Sequence, residues 1–158
     1  MPVSPGSVAP ASSSSNGGDT FTKAVLAADF PKTNNTLANV TGFAFNVLAG
    51  ETWLCNFNLA IESGGVVDFK LDITGPTSSL FTLFALENAN VAVLTPYRVT
   101  AVSTAIESSG VPSPGGYALT LAIIATADGT CQLRFAQKTT DAAASKILAG
   151  STMVAHKV

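Results

Sequence analysis

Apolar and polar residues alternate one by one along much of the chain, and this period of two constrains the fold more than any other feature. In residues 53–61 every odd position is apolar. In residues 67–73 apolar positions alternate with Asp68, Lys70 and Asp72. Because successive side chains of a strand point to opposite faces of a sheet, both segments are predicted to be strands. The three charged residues are expected to face solvent.

Glycine-containing segments follow two of the alternating runs. Gly64 and Gly65 come shortly after residues 53–61, and Asp128-Gly129 separates two further alternating runs. Glycine supplies the positive φ that a tight turn needs, and Asp-Gly between two strands favours a two-residue hairpin. Both segments are therefore predicted to close β-hairpins.

Two short segments of the sequence resemble each other. Residues 48–53 read LAGETW and residues 148–153 read LAGSTM. In each, a glycine follows a Leu-Ala pair, and an apolar residue stands at the same later position. We expect the two segments to make equivalent turns with the glycine at positive φ.

The whole pattern predicts an all-β chain with one domain. Weaker strands are expected around residues 24–26, 43–48, 80–86, 97–103 and 146–157. About eight antiparallel strands in residues 21–158 is the number typical of a β-sandwich or a jelly roll, in which two sheets bury their alternate side chains against each other. The inward-facing candidates are Phe43, Phe45, Trp53, Phe57, Phe69, Leu71, Leu121, Leu133 and Phe135.

Residues 1–20 differ from the rest of the chain, since they are rich in Pro, Ser and Gly and carry almost no apolar mass. Such a segment cannot form a core of its own, so we interpret it as an extended arm preceding the domain of residues 21–158. We expect contacts with a neighbouring subunit to order it; the alternative is that it folds back on its own domain. The candidate contact residues of the arm are Pro2, Val3, Pro5, Val8 and Pro10.

The composition indicates a protein that packs against other proteins. Charged residues make up only 11% of the chain and apolar residues 47%. Typical soluble proteins carry about 25% charged residues, so much of this surface must be uncharged. A net charge of −2 offers no footprint for nucleic acid or anionic lipid. No apolar stretch reaches membrane-spanning length and no secretory signal is recognisable, so we expect folding in a reducing cytoplasm and no nucleic-acid or membrane partner.

Residues able to support catalysis or metal binding are scarce. Cys55 and Cys131 both fall at inward positions and are interpreted as buried thiols, with a disulfide as the alternative. The single histidine, His156, lies near the chain end, which we expect to fray. Asp68 and Asp72 share a strand face but would stand about 13 Å apart, too far for a glycosidase pair. We expect no enzyme, no metal site and no cofactor.

Several segments resemble a β-domain that is common in virion proteins of tailed bacteriophages. They are TLANVTGFAF at residues 36–45, LAGETW at 48–53, TGP at 74–76, GTCQLRFAQ at 129–137 and ILAGS at 147–151. The resemblance spans roughly residues 22–155. Such domains occur as head decoration (cement) proteins and as C-terminal modules of fibres, so the resemblance implies a structural role in a virion.

The resemblance implies two candidate functions. The first is a capsid decoration protein, a homotrimer on the exterior of a phage head that binds the major capsid protein and straps neighbouring subunits with its arm. The alternative is a tail fibre or adhesin that binds a host-surface glycan through loops such as residues 87–90, with Tyr97 and Tyr117 as the available aromatic residues.

Overall fold

The computed structural model describes residues 12–16, 19–63, 69–88, 94–108 and 115–158. These ranges contain thirteen strands and no helix. In chain order the strands are β1 (Ser12–Asn16), β2 (Asp19–Val25), β3 (Phe30–Lys32), β4 (Ala38–Val47), β5 (Thr52–Glu62), β6 (Phe69–Thr74), β7 (Ser78–Asn88), β8 (Leu94–Val99), β9 (Ile106–Glu107), β10 (Gly115–Ala125), β11 (Gly129–Gln137), β12 (Ser145–Ile147) and β13 (Thr152–Lys157).

The strands form two sheets. The large sheet has the order β1-β2-β13-β5-β10-β7-β8, with β12 pairing both β3 and β5 at one end. The small sheet has the order β4-β11-β6-β9. Every pairing among these strands is antiparallel. The predicted all-β sandwich, of the jelly-roll kind, is confirmed.

The core lies between the two sheets and is built from aromatic and aliphatic side chains. The ring of Phe45 on β4 lies 5.4 Å from that of Trp53 on β5, and Phe69 on β6 meets Tyr117 on β10 edge to face at 4.8 Å. These contacts join the small sheet to the large one. All nine predicted inward residues are buried: Phe43, Phe45, Trp53, Phe57, Phe69, Leu71, Leu121, Leu133 and Phe135.

Both predicted hairpins are wrong. β5 belongs to the large sheet and β6 to the small one, and β10 and β11 are divided in the same way. The Asp128-Gly129 segment therefore carries the chain across the core from one sheet to the other. A Cβ at Gly129 would lie 2.8 Å from the Cβ of Pro76. Glycine is needed at residue 129 because the connection between β10 and β11 passes close to Pro76, in the connection between β6 and β7. The Gly64-Gly65 pair lies outside the described residues.

Crossing between the sheets is the rule along the described chain. Among its strands, only the β1/β2 and β7/β8 pairs are neighbours both in sequence and in a sheet. Each of the four strands of the small sheet is preceded and followed in sequence by a strand of the large sheet. Distant parts of the chain must therefore meet before either sheet can form.

The strand count and the arm also differ from expectation. About eight strands were expected, but short strands such as β3, β9 and β12 have only two or three residues, too few to show an alternation. Within the predicted arm, Ser12–Asn16 forms β1 and pairs with β2 of the same chain. Residues 12–16 therefore fold back on their own chain, as in the alternative interpretation of the arm. The candidate contact residues Pro2, Val3, Pro5, Val8 and Pro10 lie outside the described residues.

The two Leu-Ala-Gly segments make equivalent turns, as predicted. The backbone N–H of Glu51 donates to the carbonyl of Leu48 at 3.1 Å, and the N–H of Ser151 donates to that of Leu148 at 3.3 Å. The third residue of each turn is a glycine with φ of 84° at Gly50 and 86° at Gly150. This is the geometry of a type II turn, which needs positive φ at its third position.

A carboxylate from a distant loop holds each of these turns. The N–H of Ala49 donates to Oδ1 of Asp128 at 2.8 Å, and the N–H of Ala149 donates to Oδ1 of Asp29 at 2.9 Å. The N–H of Gly50 also donates to the carbonyl of Ala125 at the end of β10, and the N–H of Gly150 donates to the carbonyl of Leu26 just after β2, both at 2.8 Å. The turns thus fix where β5 and β13, central strands of the large sheet, begin.

Replacing either turn glycine with alanine should destabilise the domain, because a Cβ at positive φ costs about 1 kcal/mol. We expect Gly50→Ala and Gly150→Ala each to lower the free energy of unfolding by about that amount, measured by urea titration of Trp53 fluorescence. Gly116→Ala is the matched control, since an added Cβ there meets nothing within 4 Å and φ is not positive. Equal effects at Gly50 and Gly116 would contradict the turn assignment.

Candidate assembly surface

Apart from Glu62, the last residue of β5, the described outward positions of the four central strands of the large sheet carry no charged side chain. We call this surface the uncharged face. The register of the strands places its residues in adjacent rows, so that Thr120 on β10 lies opposite Asn56 on β5. Its members are Thr152 and Val154 of β13, Leu54, Asn56 and Asn58 of β5, Ala118, Thr120, Ala122 and Ile124 of β10, and Leu80 and Thr82 of β7.

The uncharged face is exposed to solvent in the single chain. Val154 and Leu80 are each 42% exposed although both are large aliphatic residues. The Thr120 hydroxyl donates to Oδ1 of Asn56 at 2.9 Å, so these polar groups partly satisfy each other across the strands. Short side chains lose little conformational entropy when they are covered, and no charge must be desolvated. The face is therefore suited to close packing against another protein.

Charged residues stand at the border of this face. Lys23 and Arg98 belong to the flanking strands β2 and β8, and both are exposed. At the end of β5, Nζ of Lys146 on β12 lies 3.3 Å from Oε1 of Glu62. An uncharged centre with a charged rim is the usual anatomy of a protein interface.

The C-terminal strand lies inside the large sheet. β13 pairs with β2 on one side and β5 on the other, and His156 stands opposite Phe21 and Leu54. The expectation that His156 sits at a fraying end is wrong, because the ladder bonds of two neighbouring strands hold it. His156 therefore marks one end of the uncharged face.

In the small sheet, charged side chains lie at outward positions of β6, β9 and β11, and we call this part of the sheet the charged face. Arg134 on β11 lies directly opposite Asp72 on β6 and makes a bidentate ion pair with it, with Nε 2.8 Å from Oδ1. Asp72 is completely buried, so the expectation that it faces solvent is wrong. The guanidinium covers it and supplies two donors to its carboxylate. This hydrogen bond also raises the pKa of Arg134.

Further opposite charges meet on the charged face. Lys70 on β6 lies opposite Glu107 on β9, and Lys138 Nζ lies 3.6 Å from Oε2 of Glu107. Surface ion pairs of this kind contribute little to stability but keep a sheet face hydrated. The charged face therefore differs in charge from the uncharged face at the centre of the large sheet.

A groove of about 490 Å³ opens beside β4, where β2 of the large sheet passes the small sheet. Glu51 lies in its wall, and its carboxylate is fully engaged. It accepts hydrogen bonds from Trp53 Nε1 at 2.8 Å and from the N–H of Leu48 at 2.9 Å, and Lys157 Nζ lies 2.9 Å from it. The pairing with Lys157, followed by these two hydrogen bonds, lowers the pKa of Glu51 to about 2. The carboxylate therefore braces the first Leu-Ala-Gly turn.

The two cysteines face the core from opposite sheets. Cys55 on β5 and Cys131 on β11 are both completely buried and unpaired. Burial raises the pKa of both thiols, to about 12 for Cys131. A thiol that stays protonated is a poor nucleophile. The interpretation of both residues as buried thiols is confirmed.

No site for the glycan alternative is visible in the described part of the chain. Tyr117 is buried against Phe69, so the expectation that it is available to a ligand is wrong. Glu87 and Asn88 belong to β7, while the remaining loop residues and the side chain of Tyr97 lie outside the description. Within the same ranges, no three His, Cys, Asp or Glu residues are grouped as a metal site would require, and no helix could span a bilayer.

Comparisons with known proteins find no matching family model and no matching curated protein. Among solved structures, the chain is similar to one described as accessory secretory protein 1,2 and 3 in Streptococcus pneumoniae, at 13% identity and a TM-score of 0.26, covering 80% of this chain and 88% of that one. It is also similar to the structure of infectious bursal disease virus Gx strain, at 12% identity and a TM-score of 0.24. The match covers 99% of this chain and 41% of the viral chain. Both scores are too low to carry an argument.

The uncharged face was not identified from the sequence. Alternation places Asn56 and Asn58 on the outward side of β5, and Thr120 and Ala122 on the outward side of β10. Nothing in the alternation says that β13, β5, β10 and β7 are neighbours, because these strands are far apart in the chain. The available signal was the scarcity of charge at the outward positions of the four segments, where Glu62 is the exception.

The depressed pKa of Glu51 gives a pH dependence with a definite sign. A lowered pKa contributes stability that is present above the ordinary value of 4.5 and is lost as the pH falls through about 2. We expect Glu51→Gln to lower the free energy of unfolding by about 1–2 kcal/mol at neutral pH, and the difference to shrink steadily below about pH 4.5. Urea titrations of both proteins at several pH values measure this.

Glu62→Gln is the control for this experiment. The Glu62 carboxylate is 40% exposed and pairs only with Lys146 at 3.3 Å, so its loss should cost less than about 1 kcal/mol. A Glu51→Gln effect that is the same at pH 7 and at about pH 3 would rule out the carboxylate as its source.

Proposed function

We propose that the protein is a structural component of a virion, a capsid decoration (cement) protein that stabilises a bacteriophage head by bridging neighbouring subunits of the major capsid protein. In this proposal it is a homotrimer on the capsid exterior. The observation that carries the proposal is the contrast between the uncharged face and the charged face. A subunit of an assembly needs one surface for contacts with other protein chains and another that stays hydrated.

The chemistry of the described residues supports a role in packing. The carboxylates of Glu51 and Asp72 are engaged in internal hydrogen bonds and ion pairs, and the thiols of Cys55 and Cys131 are buried. A decoration protein needs only buried contact area, about 800 Å² on each partner for a stable interface. The resemblance of residues 22–155 to virion β-domains of tailed phages supports the same role.

The arm has a defined part in this proposal. β1 is the edge strand of the large sheet and begins at Ser12, and residues 1–11 precede it in the chain. An extended segment of this length reaches up to about 40 Å. With Pro2, Val3, Pro5, Val8 and Pro10 it carries apolar and rigid residues but no charged side chain. We propose that these residues lie on a neighbouring subunit.

Counting the copies of the protein in purified particles tests the location. A decoration protein covers the shell, so we expect hundreds of copies per particle, measured by quantitative mass spectrometry against the major capsid protein. A handful of copies would contradict the proposal and point to a tail component. Absence from the particles would exclude a virion role.

Deleting residues 1–11 tests strapping by the arm. This deletion leaves β1 and β2 intact, so the free energy of unfolding should stay the same. We expect binding to undecorated shells to weaken at least about tenfold, since the arm's contacts are lost. A variant with a Gly-Ser segment of the same length is the control for chain length and should bind as weakly as the deletion. Full-strength binding by the deletion variant would end the arm hypothesis.

A further inference from the structure

We propose that the uncharged face is the surface through which copies of this chain associate with each other. This inference deepens the proposed homotrimer and rests on it, because it names the surface that the copies share. It assigns to the outward side of β13, β5, β10 and β7 a single kind of partner, a second copy of the same face or of its immediate border.

The size of the face fits an oligomer interface. Strands lie about 4.8 Å apart and rise about 3.4 Å per residue, so the six strands from β2 to β8, over about seven residues, cover roughly 700 Å². A stable interface buries about 800 Å² on each partner, so this sheet surface supplies most of the area required. The four central strands alone cover roughly 450 Å² by the same spacing. Contact across the flanking strands is therefore needed, which places Lys23 and Arg98 at the rim.

The charge pattern selects a second copy over a partner of different chemistry. A partner with a charged surface is recognised by opposite charge, and the centre of this face offers none. A second copy of an uncharged face meets it without like-charge repulsion and without burying an unpaired ion. The ion pair of Lys146 and Glu62 and the exposed Lys23 remain outside the centre, where they stay hydrated. The face is thus compatible with itself.

Two threonines allow a matched experiment. Thr120 on the uncharged face and Thr130 on the small sheet are both exposed, and each lies directly opposite an asparagine on the next strand. Each hydroxyl donates to that asparagine's Oδ1, at 2.9 Å to Asn56 and at 2.8 Å to Asn46. Substituting either threonine therefore removes the same local interaction. Only the first substitution lies in the proposed interface.

We expect the purified wild-type protein to have about three times the 16.0 kDa mass of one chain, measured by light scattering after size exclusion. Thr120→Lys and Thr120→Glu should each raise the dissociation constant of the assembly at least about 100-fold, because a charge would be desolvated without a partner. A glutamate at residue 120 could form an ion pair with Lys23 of another copy and hide the effect. The lysine variant cannot form this pair, so both variants are tested. Thr130→Lys and Thr130→Glu should assemble like the wild type.

A milder substitution keeps the test valid if the charged variants fail to fold. Val154→Cys places a thiol on the uncharged face, and Thr130→Cys places one on the small sheet. The native Cys55 and Cys131 are buried, so a maleimide reagent should label the new thiol selectively. We expect residue 154 to be labelled at least about tenfold more slowly than residue 130 while the protein is assembled, and at a similar rate after dilution.

Several outcomes would overturn the inference. A monomeric wild-type protein would do so, as would equal assembly of the Thr120 and Thr130 variants or equal labelling of residues 154 and 130 in the assembled state. A monomer whose Thr120 variants lose binding to capsid shells would assign the face to the capsid protein instead. An oligomer that is absent from purified heads would refute the decoration role and leave this inference standing, so the two failures can be told apart.

Discussion

The apolar contact between the two sheets is the interaction on which the rest of this fold depends. Strands that follow each other in the chain mostly enter opposite sheets, so few local hairpins can hold either sheet together by itself. Pairs such as Phe45 with Trp53 and Phe69 with Tyr117 join the layers directly. Each such side chain contributes about 1.5–3 kcal/mol when it is buried. The packing also fixes which side of every strand faces outward, and therefore the composition of both outer faces.

The sequence predicts the strands and their inward residues well, because alternation depends only on burial of one strand face. It predicts the connections poorly. Asp128-Gly129 satisfies the local requirements of a hairpin, yet the chain crosses the core there, and the glycine is needed beside Pro76. A turn signal describes only the local backbone, whereas strand pairing depends on contacts between distant segments. The two Leu-Ala-Gly turns could be predicted, since their geometry depends on a glycine at positive φ within the segment itself.

The candidate surface was predictable only in part, for the same reason. Low overall charge indicated an uncharged exterior, but it did not show that the uncharged outward positions are grouped at the centre of the large sheet. Asp72 illustrates the difficulty: by alternation it faces outward, and it does, but Arg134 from β11 covers it completely. Tyr117 was expected at the surface, but the pairing of β10 directs it toward Phe69 in the core. Each of these results depends on which strands are neighbours.

Several of the acidic residues of the chain stabilise turns and strand pairs within the domain. Asp29 and Asp128 accept hydrogen bonds in the two equivalent turns, Glu51 braces one of them, and Asp72 is buried in an ion pair. Four of the 10 acidic residues therefore take part in interactions that hold the fold. A free surface with so little net charge tends to associate without specificity. In the oligomer that we propose, copies of the same chain cover the uncharged face and remove that surface from solvent.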